Sequence, residues 1–249
     1  MILTEIRSHI LTRFEKSIHV STISRYLNKQ KLTVKRTQII PAERNSEGTK
    51  ELRFEYAREL GRITRTRPGT QLIYLDESGF NLHLTRQRGR ALPGISPVTT
   101  VPASPGRNLS LLQAVSREGV LYYEVYTGSI NAETFRRFLV DLEPTLPNQA
   151  PVIMDNARIH HANLVQDWLA ERSIPHLFLP PYSPFLNPIE LSFTKIKRKV
   201  RASPVRSQNE LIQAMTDGIH TITSDDLSGF YRHSEGYMDG CLDREDIEY

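Results

Sequence analysis

Three carboxylates in this 249-residue sequence stand where rigid local structure would hold them. Asp155 ends the apolar run Val152-Ile153-Met154, and Asp76 closes another, Leu72-Ile73-Tyr74-Leu75. Glu190 follows the proline-rich segment Pro180-Pro181-Tyr182-Ser183-Pro184-Phe185-Leu186-Asn187-Pro188-Ile189. Short apolar runs of this kind read as buried strands. Side chains at the carboxyl ends of neighbouring strands in a sheet with helices on it open into one crevice, so Asp76 and Asp155 are expected to meet. Glu190 is expected to reach the same edge by another route. Asn187 suits an N-cap, Pro188 the first helical position, and Glu190 the first turn, where the helix dipole favours an anion. A first-turn glutamate also serves simply as a helix-capping device. Three hard oxygen ligands on three rigid elements suit Mg²⁺, and in a basic protein they point to metal-assisted chemistry on a polyanion.

The neighbours of these residues have two readings each. Glu77 points to the opposite face if its strand continues, which removes it from the ligand set. Asn156 either orients Asp155 or ends the strand. His160 and His161 either touch a substrate phosphate or, as adjacent histidines at a helix start, are polar surface or capping groups; neither has a Cys or His partner at zinc spacing. Tyr182 and the prolines at 180, 181, 184 and 188 stiffen the loop that carries Glu190.

The elements that must position these groups follow from periodicity. Leu3 to Phe14 reads as an amphipathic helix, Ser21 to Lys29 as a second helix opened by hydroxyl residues, and Lys31 to Ile40 as a basic, β-branched wing or linker strand. Helix, turn and a Ser/Thr/Arg-bearing helix is the layout of a helix-turn-helix, or of a plain helical hairpin. Glu43 to Arg67 reads as a linker helix ended by Arg67-Pro68-Gly69. Strands are expected at Gln71–Leu75, Leu109–Val115, Val120–Tyr126, Val152–Met154 and Pro175–Leu179. Helices are expected at Asn131–Leu142, Ala162–Arg172, Asn187–Arg201 and Gln208–Ile222. Strands first in hairpins and then alternating with helices imply an α/β fold with a mixed sheet flanked by helices. His83 to Gly106, rich in Arg, Pro, Gly and Thr, is a long loop or loose hairpin.

Composition, 39% hydrophobic and 24% charged, is ordinary for a globular protein and argues against a disordered chain. One cysteine, Cys241, excludes an internal disulfide and a cysteine-based zinc site. No stretch has the length of a membrane span and the N-terminus lacks a secretory apolar region, so no membrane partner and an intracellular compartment are expected. The net charge of +4 is unevenly spread. Residues 1–69 carry a net +8, the stretch 191–209 has six basic residues and no acidic one, and residues 235–249 carry a net −5. Two basic regions with carboxylates between them favour nucleic acid. Arg25, Lys29, Lys31, Lys35 and Arg36, with Lys195, Lys197, Arg198, Lys199 and Arg201, are the candidates for phosphate contact, a solvated face being the alternative.

Asp155-Asn156, followed after 34 intervening residues by a glutamate in Pro-Pro-Tyr-Ser-Pro-x-Leu-Asn-Pro-Ile-Glu, closely resembles the catalytic core of the mariner-like DDE transposases, including their bacterial insertion-sequence relatives. Tyr74-Leu75-Asp76-Glu77-Ser78-Gly79-Phe80 resembles the family's first-aspartate motif, Arg53-Phe54-Glu55-Tyr56-Ala57 its linker helix, and Lys195-Ile196-Lys197-Arg198 its basic helix after the glutamate. The resemblance implies a ribonuclease-H-like mixed sheet preceded by a partial helix-turn-helix. It implies Asp76, Asp155 and Glu190 as catalytic residues holding two Mg²⁺ ions, for which Mn²⁺ can substitute, with Asn156 and His160 behind them. The implied reaction is cut-and-paste transposition: cleavage of double-stranded DNA at transposon ends and transfer of the 3′ ends into target DNA. It also implies a homodimer, acting in the nucleus if the source is eukaryotic and otherwise in the cytoplasm or nucleoid.

The expected organisation is a partial helix-turn-helix over 1–40, a linker helix over 41–69, the catalytic domain over 70–234 and an acidic tail over 235–249. The chain departs from the family pattern at Leu191 and Phe193, and it begins inside the second of the two helix-turn-helix units usual in the family. A fragment, a truncated gene copy or a domesticated remnant is expected on that ground, with poor discrimination between DNA sequences. The rival functions are a non-catalytic DNA-binding protein derived from a transposase and a different ribonuclease-H-like nuclease.

Overall fold

The computed structural model describes residues 2–35, 39–86 and 88–248. It divides into two units, Met1–Ile40 and Pro41–Tyr249. In the first, α1 (Leu3–Phe14) and α2 (Val20–Lys29) pack together. The helix pair is small: Ile23 is its buried hydrophobic residue among those described. The described residues of the basic run after α2 form no strand. A β-branched composition favours strands only where a neighbour is present to pair with.

The second unit is built on a five-stranded sheet in the order β3-β2-β1-β4-β5, from β1 (Ile73–Phe80), β2 (Leu109–Val115), β3 (Val120–Thr127), β4 (Val152–Met154) and β5 (His176–Phe178). β1, β2 and β3 form an antiparallel meander, while β4 and β5 run parallel to β1. The sheet is covered on both faces. Tyr74, Leu111 and Ile153 point to one side, where they meet α3 (Glu47–Thr66), α6 (Ile189–Ala202), α7 (Gln208–His220) and α8 (Ser224–Glu235). Ile73, Leu75, Leu112, Val152 and Met154 point to the other, against α4 (Ala132–Leu142) and α5 (Asn163–Glu171). Each helix earns its place by spacing. α4 buries Phe135, Phe138, Leu139 and Leu142 and is capped by Asn131, whose Oδ1 accepts the Thr134 N–H at 2.8 Å. α6 buries Ile189, Phe193, Ile196 and Val200 on its apolar stripe.

Two differences from the sequence reading bear on the site. β1 does not stop at Leu75 but runs on to Phe80, still paired with β2, whereas its pairing with β4 covers only Ile73 to Leu75. The acidic stretch after residue 234 is no free tail. A short helix, α9 (Met238–Leu242), buries Cys241, and Ile247 is buried beyond it. Arg244 makes a two-pronged ion pair with Glu51 and lies 3.6 Å from the centre of the Phe54 ring on α3. Lys50 pairs with Asp246 at 2.6 Å, and the Ile247 N–H donates to Asn45 Oδ1. Ion pairs of both polarities thus fasten this segment to α3. Ile247→Ala is expected to cost about 2 kcal/mol, or roughly 4–8 °C in melting temperature, which calorimetry would register.

Candidate active site

Asp76, Asp155 and Glu190 line one open cleft of about 520 Å³, together with Asn156, Asn187 and the loop from Leu179 to Pro184. The strand period brings the first two together. Leu75 and Met154 are register partners on parallel β1 and β4, so Asp76 and Asp155 are the next residues on each strand, both on the α6 face. β4 ends there and opens the cleft, while β1 continues past it, lining it with Asp76 and Glu77. Glu190 enters from the first turn of α6. Among the described residues, no three His, Cys, Asp or Glu side chains are yet drawn to the spacing of a metal-ligand cluster. The three carboxylates share a cleft and repel one another across it.

Their environments differ. Asp76 is 7% exposed, and burial, then the charges of Asp155 and Glu190, push its carboxyl well above the usual range. Its Oδ1 accepts the Glu77 N–H at 2.7 Å and its Oδ2 accepts Asn187 Nδ2–H at 2.7 Å. Partial burial would raise Asp155 too, but the His160 ring, with Nδ1 2.7 Å from Asp155 Oδ1, and the Ala157 N–H hold it below the usual value. Desolvation raises Glu190, Lys197 opposes that shift and Asp155 adds to it. Lys197, lowered by its own burial, lies 5.5 Å from the centre of the Phe80 ring.

Several sequence expectations change here. His160 is not a surface or capping group: it is 1% exposed, packs 4.3 Å from the Phe135 ring centre and holds Asp155. Asn156 lines the cleft, is exposed and hydrogen-bonds His161. Asn187 stands one residue before the N-cap, Pro188; its Oδ1 accepts the Ile189 N–H at the helix start while its Nδ2 reaches across to Asp76. Glu77, on the opposite strand face from Asp76, reaches the rim of the cleft. Lys195 is engaged by Asp226 of α8, which removes it from the set of free cations. Lys197 flanks Glu190, Arg198 and Lys199 are exposed, and Arg201 lies beside Arg86 and Arg206. In the first unit Arg25, Lys29, Lys31 and Lys35 are exposed, while Arg36 lies outside the described residues.

Sequence reasoning missed three features. Gln113, register partner of Asp76 on β2, is fully buried and accepts from Ser192 Oγ of α6 at 2.7 Å. A glutamine inside the apolar strand Leu-Ser-Leu-Leu-Gln-Ala-Val was a visible signal, since buried polar groups need partners. Tyr182 sits at a φ of +55°, a left-handed conformation that a bulky residue adopts at a cost, inside the loop that walls the cleft. Arg53 is wholly buried, its Nη2 donating to the Arg44 carbonyl and Asn45 Oδ1, beside the Phe185 ring of that loop.

Comparison with known proteins agrees with this geometry. The DDE superfamily endonuclease family matches residues 71–212, which include all three carboxylates. The fold is similar to that of the Mos1 transposase paired-end complex with left transposon end, with a TM-score of 0.79 at 19% identity over 95% of this chain and 73% of that one. The Mos1 strand transfer complex matches with 0.79 at 19% identity, over 100% of this chain and 79% of the other. The catalytic domain of Mos1 mariner transposase matches with 0.63 at 17% identity, over 87% and 100%. No curated protein sequence matches the chain. The five-stranded mixed sheet with helices on both faces is thus the expected ribonuclease-H-like architecture. With the family match spanning more than half of its length and the cleft at the centre of the matched region, the chain belongs to the DDE superfamily endonucleases.

Proposed function

We propose that this endonuclease is a DNA transposase that cleaves double-stranded DNA at the ends of a mobile element and transfers the 3′ ends into target DNA. The observation that carries the reading is the convergence of Asp76, Asp155 and Glu190, from β1, β4 and α6, in one cleft of a DDE endonuclease domain. Its support beyond the family is that the similar folds include transposase complexes with a transposon end, with Mg and with Mn.

The donor set fits a pair of divalent cations: three carboxylates face one cleft, and burial, then the charges of the other two, raise the carboxyl of Asp76, which a cation at their centre would relieve. Two Mg²⁺ ions held by these carboxylates, or Mn²⁺ in their place, would activate a water or 3′-hydroxyl and stabilise the leaving oxygen. The protein's own contribution is positioning. His160 holds Asp155 as an anion, the Glu77 N–H and Asn187 aim the Asp76 carboxylate, and Lys197 offsets charge near Glu190, where a phosphodiester would arrive. Arg198, Lys199 and Arg201, with Arg25, Lys29, Lys31 and Lys35 of the first unit, serve as phosphate contacts. Action as a homodimer on two DNA ends, in the compartment that holds the chromosome, belongs to the same proposal.

Supercoiled plasmid carrying the inverted repeats that flank the source gene is the test substrate. The purified protein is expected to cut at the repeat ends in Mg²⁺ or Mn²⁺, to join a precut end to a second duplex, and to do neither in EDTA. Cleavage that persists in EDTA, or DNA binding without cleavage in either metal, would overturn the proposal; the latter would leave a DNA-binding protein.

A further inference from the structure

We propose that Asn187 is a positioning residue that ties the metal-facing carboxylate of Asp76 to the helix that delivers Glu190. The inference rests on the metal reading of the cleft given above. Asn187 is 3% exposed and its Nδ2 donates to Asp76 Oδ2 at 2.7 Å, a contact between residues 111 positions apart. Its Oδ1 faces the Ile189 N–H at 3.4 Å, and its backbone carbonyl accepts the Glu190 N–H at 3.3 Å. One residue therefore contacts β1 and the first turn of α6 at once. With the Glu77 N–H on Oδ1, both oxygens of Asp76 carry one donor each, and the carboxylate cannot rotate without breaking one of them. A donor on each oxygen fixes a ligand's angle before a cation arrives, and both bonds strengthen when the carboxylate is ionised.

A purely structural role is the competing explanation, because α6 must be fastened to the sheet in any case. The molecule supplies its own control. Ser192, on α6 two residues beyond Glu190, donates to Gln113 on β2 in an equally buried contact that touches no carboxylate of the cleft. If Asn187 only fastened α6, its loss would resemble the loss of Ser192. If it aims Asp76, its loss must weaken the hold on a cation.

Wild type, Asn187→Ala, Asn187→Leu and Ser192→Ala proteins, as full chains, are titrated with Mn²⁺ and bound ion is counted by electron paramagnetic resonance. The Mg²⁺ dependence of plasmid cleavage is measured in parallel. The alanine variant removes the amide, and the leucine variant removes it while filling its volume. Both are expected to need about tenfold to a hundredfold more cation at the midpoint, the usual cost of losing a group that orients a ligand. Ser192→Ala is expected to melt earlier yet bind Mn²⁺ with the wild-type midpoint. If either Asn187 variant fails to fold, Asn187→Ser, which keeps a donor on a shorter arm, is expected to fold with an intermediate shift. A midpoint within threefold of wild type in a folded Asn187 variant, or an equal shift in Ser192→Ala, would overturn the proposal. Wild-type protein that binds no Mn²⁺ would instead defeat the metal reading beneath it.

Discussion

Replacing Asp155 by alanine is expected to lower DNA cleavage by about a thousandfold or more, because a metal-held phosphoryl transfer draws several kcal/mol from each ion and each 1.4 kcal/mol is a factor of ten in rate. The fold should survive the change. The Asp155 side chain is 45% exposed, so its removal opens no core cavity, and His160 keeps a partner in the carbonyl oxygen of residue 155, 3.1 Å from its Nδ1. Initial rates of plasmid nicking, with a circular-dichroism melt and a DNA-binding isotherm on the same preparation, check both halves of the expectation. A variant that keeps a tenth of wild-type activity would show that Asp155 is not part of the reacting centre. Asp155→Asn is a sterner comparison, since it preserves shape and removes only charge.

Addition of Mg²⁺ should stabilise the protein, and the size of the effect should depend on pH in a direction set by Asp76 and Glu190. Both carboxyls are raised in the folded chain, so folding takes up protons between their ordinary values and their raised ones. Their favourable contribution to the cation-free protein is fully present below the ordinary carboxylate range and is lost as pH rises through the raised values. Asp155, lowered by His160, has the opposite sign: its contribution is present above the ordinary range and fades as pH falls through its lowered value. As pH rises through the raised values, the cation-free cleft therefore gains unrelieved repulsion at Asp76. A cation at about a hundred times its dissociation constant adds about 2.7 kcal/mol, or roughly 5–10 °C for a chain of this size. The rise should shrink as pH falls, because protons compete with the cation for the same oxygens. Scanning calorimetry with and without Mg²⁺ at several pH values is the measurement. An undiminished rise in Asp155→Ala or Glu190→Gln would place the stabilising cation elsewhere.

Much of the site was legible because its residues sit on elements whose pattern is local. Val152–Met154 is an uninterrupted apolar triplet and needs no other part of the chain to read as a buried strand, which fixes where Asp155 emerges. The segment before Glu190 has four prolines and could hardly be anything but a stiff approach to a helix. What escaped were side chains whose partners lie far away in sequence. Nothing in Asn187-Pro188 says that an amide beside its own helix start also crosses to a strand. Nothing in His160-His161 says which ring turns inward, since that is decided by Phe135 of α4. The continuation of β1 through Asp76-Glu77-Ser78-Gly79 was hidden by its composition, which is poor for a strand; pairing with β2 overrides it. The helix over Ser224–Glu235 lies outside the expected elements, although Thr223 and Asp226 form a capping box ahead of Leu227 and Tyr231.

The same continuation of β1 has a consequence for the protein in a crowded cell. Beyond Leu75 the strand has lost β4 and presents a free edge, the kind of surface on which a stray strand from another molecule can add and start an aggregate. Here that edge begins with two acidic residues, and its Glu77 N–H is already occupied by the side chain of Asp76. The cleft thus guards its own backbone edge: a strand adding there would have to bury the Glu77 carboxylate. Substitutions that neutralise Asp76 and Glu77 together should be harder to keep soluble than their loss of activity would suggest.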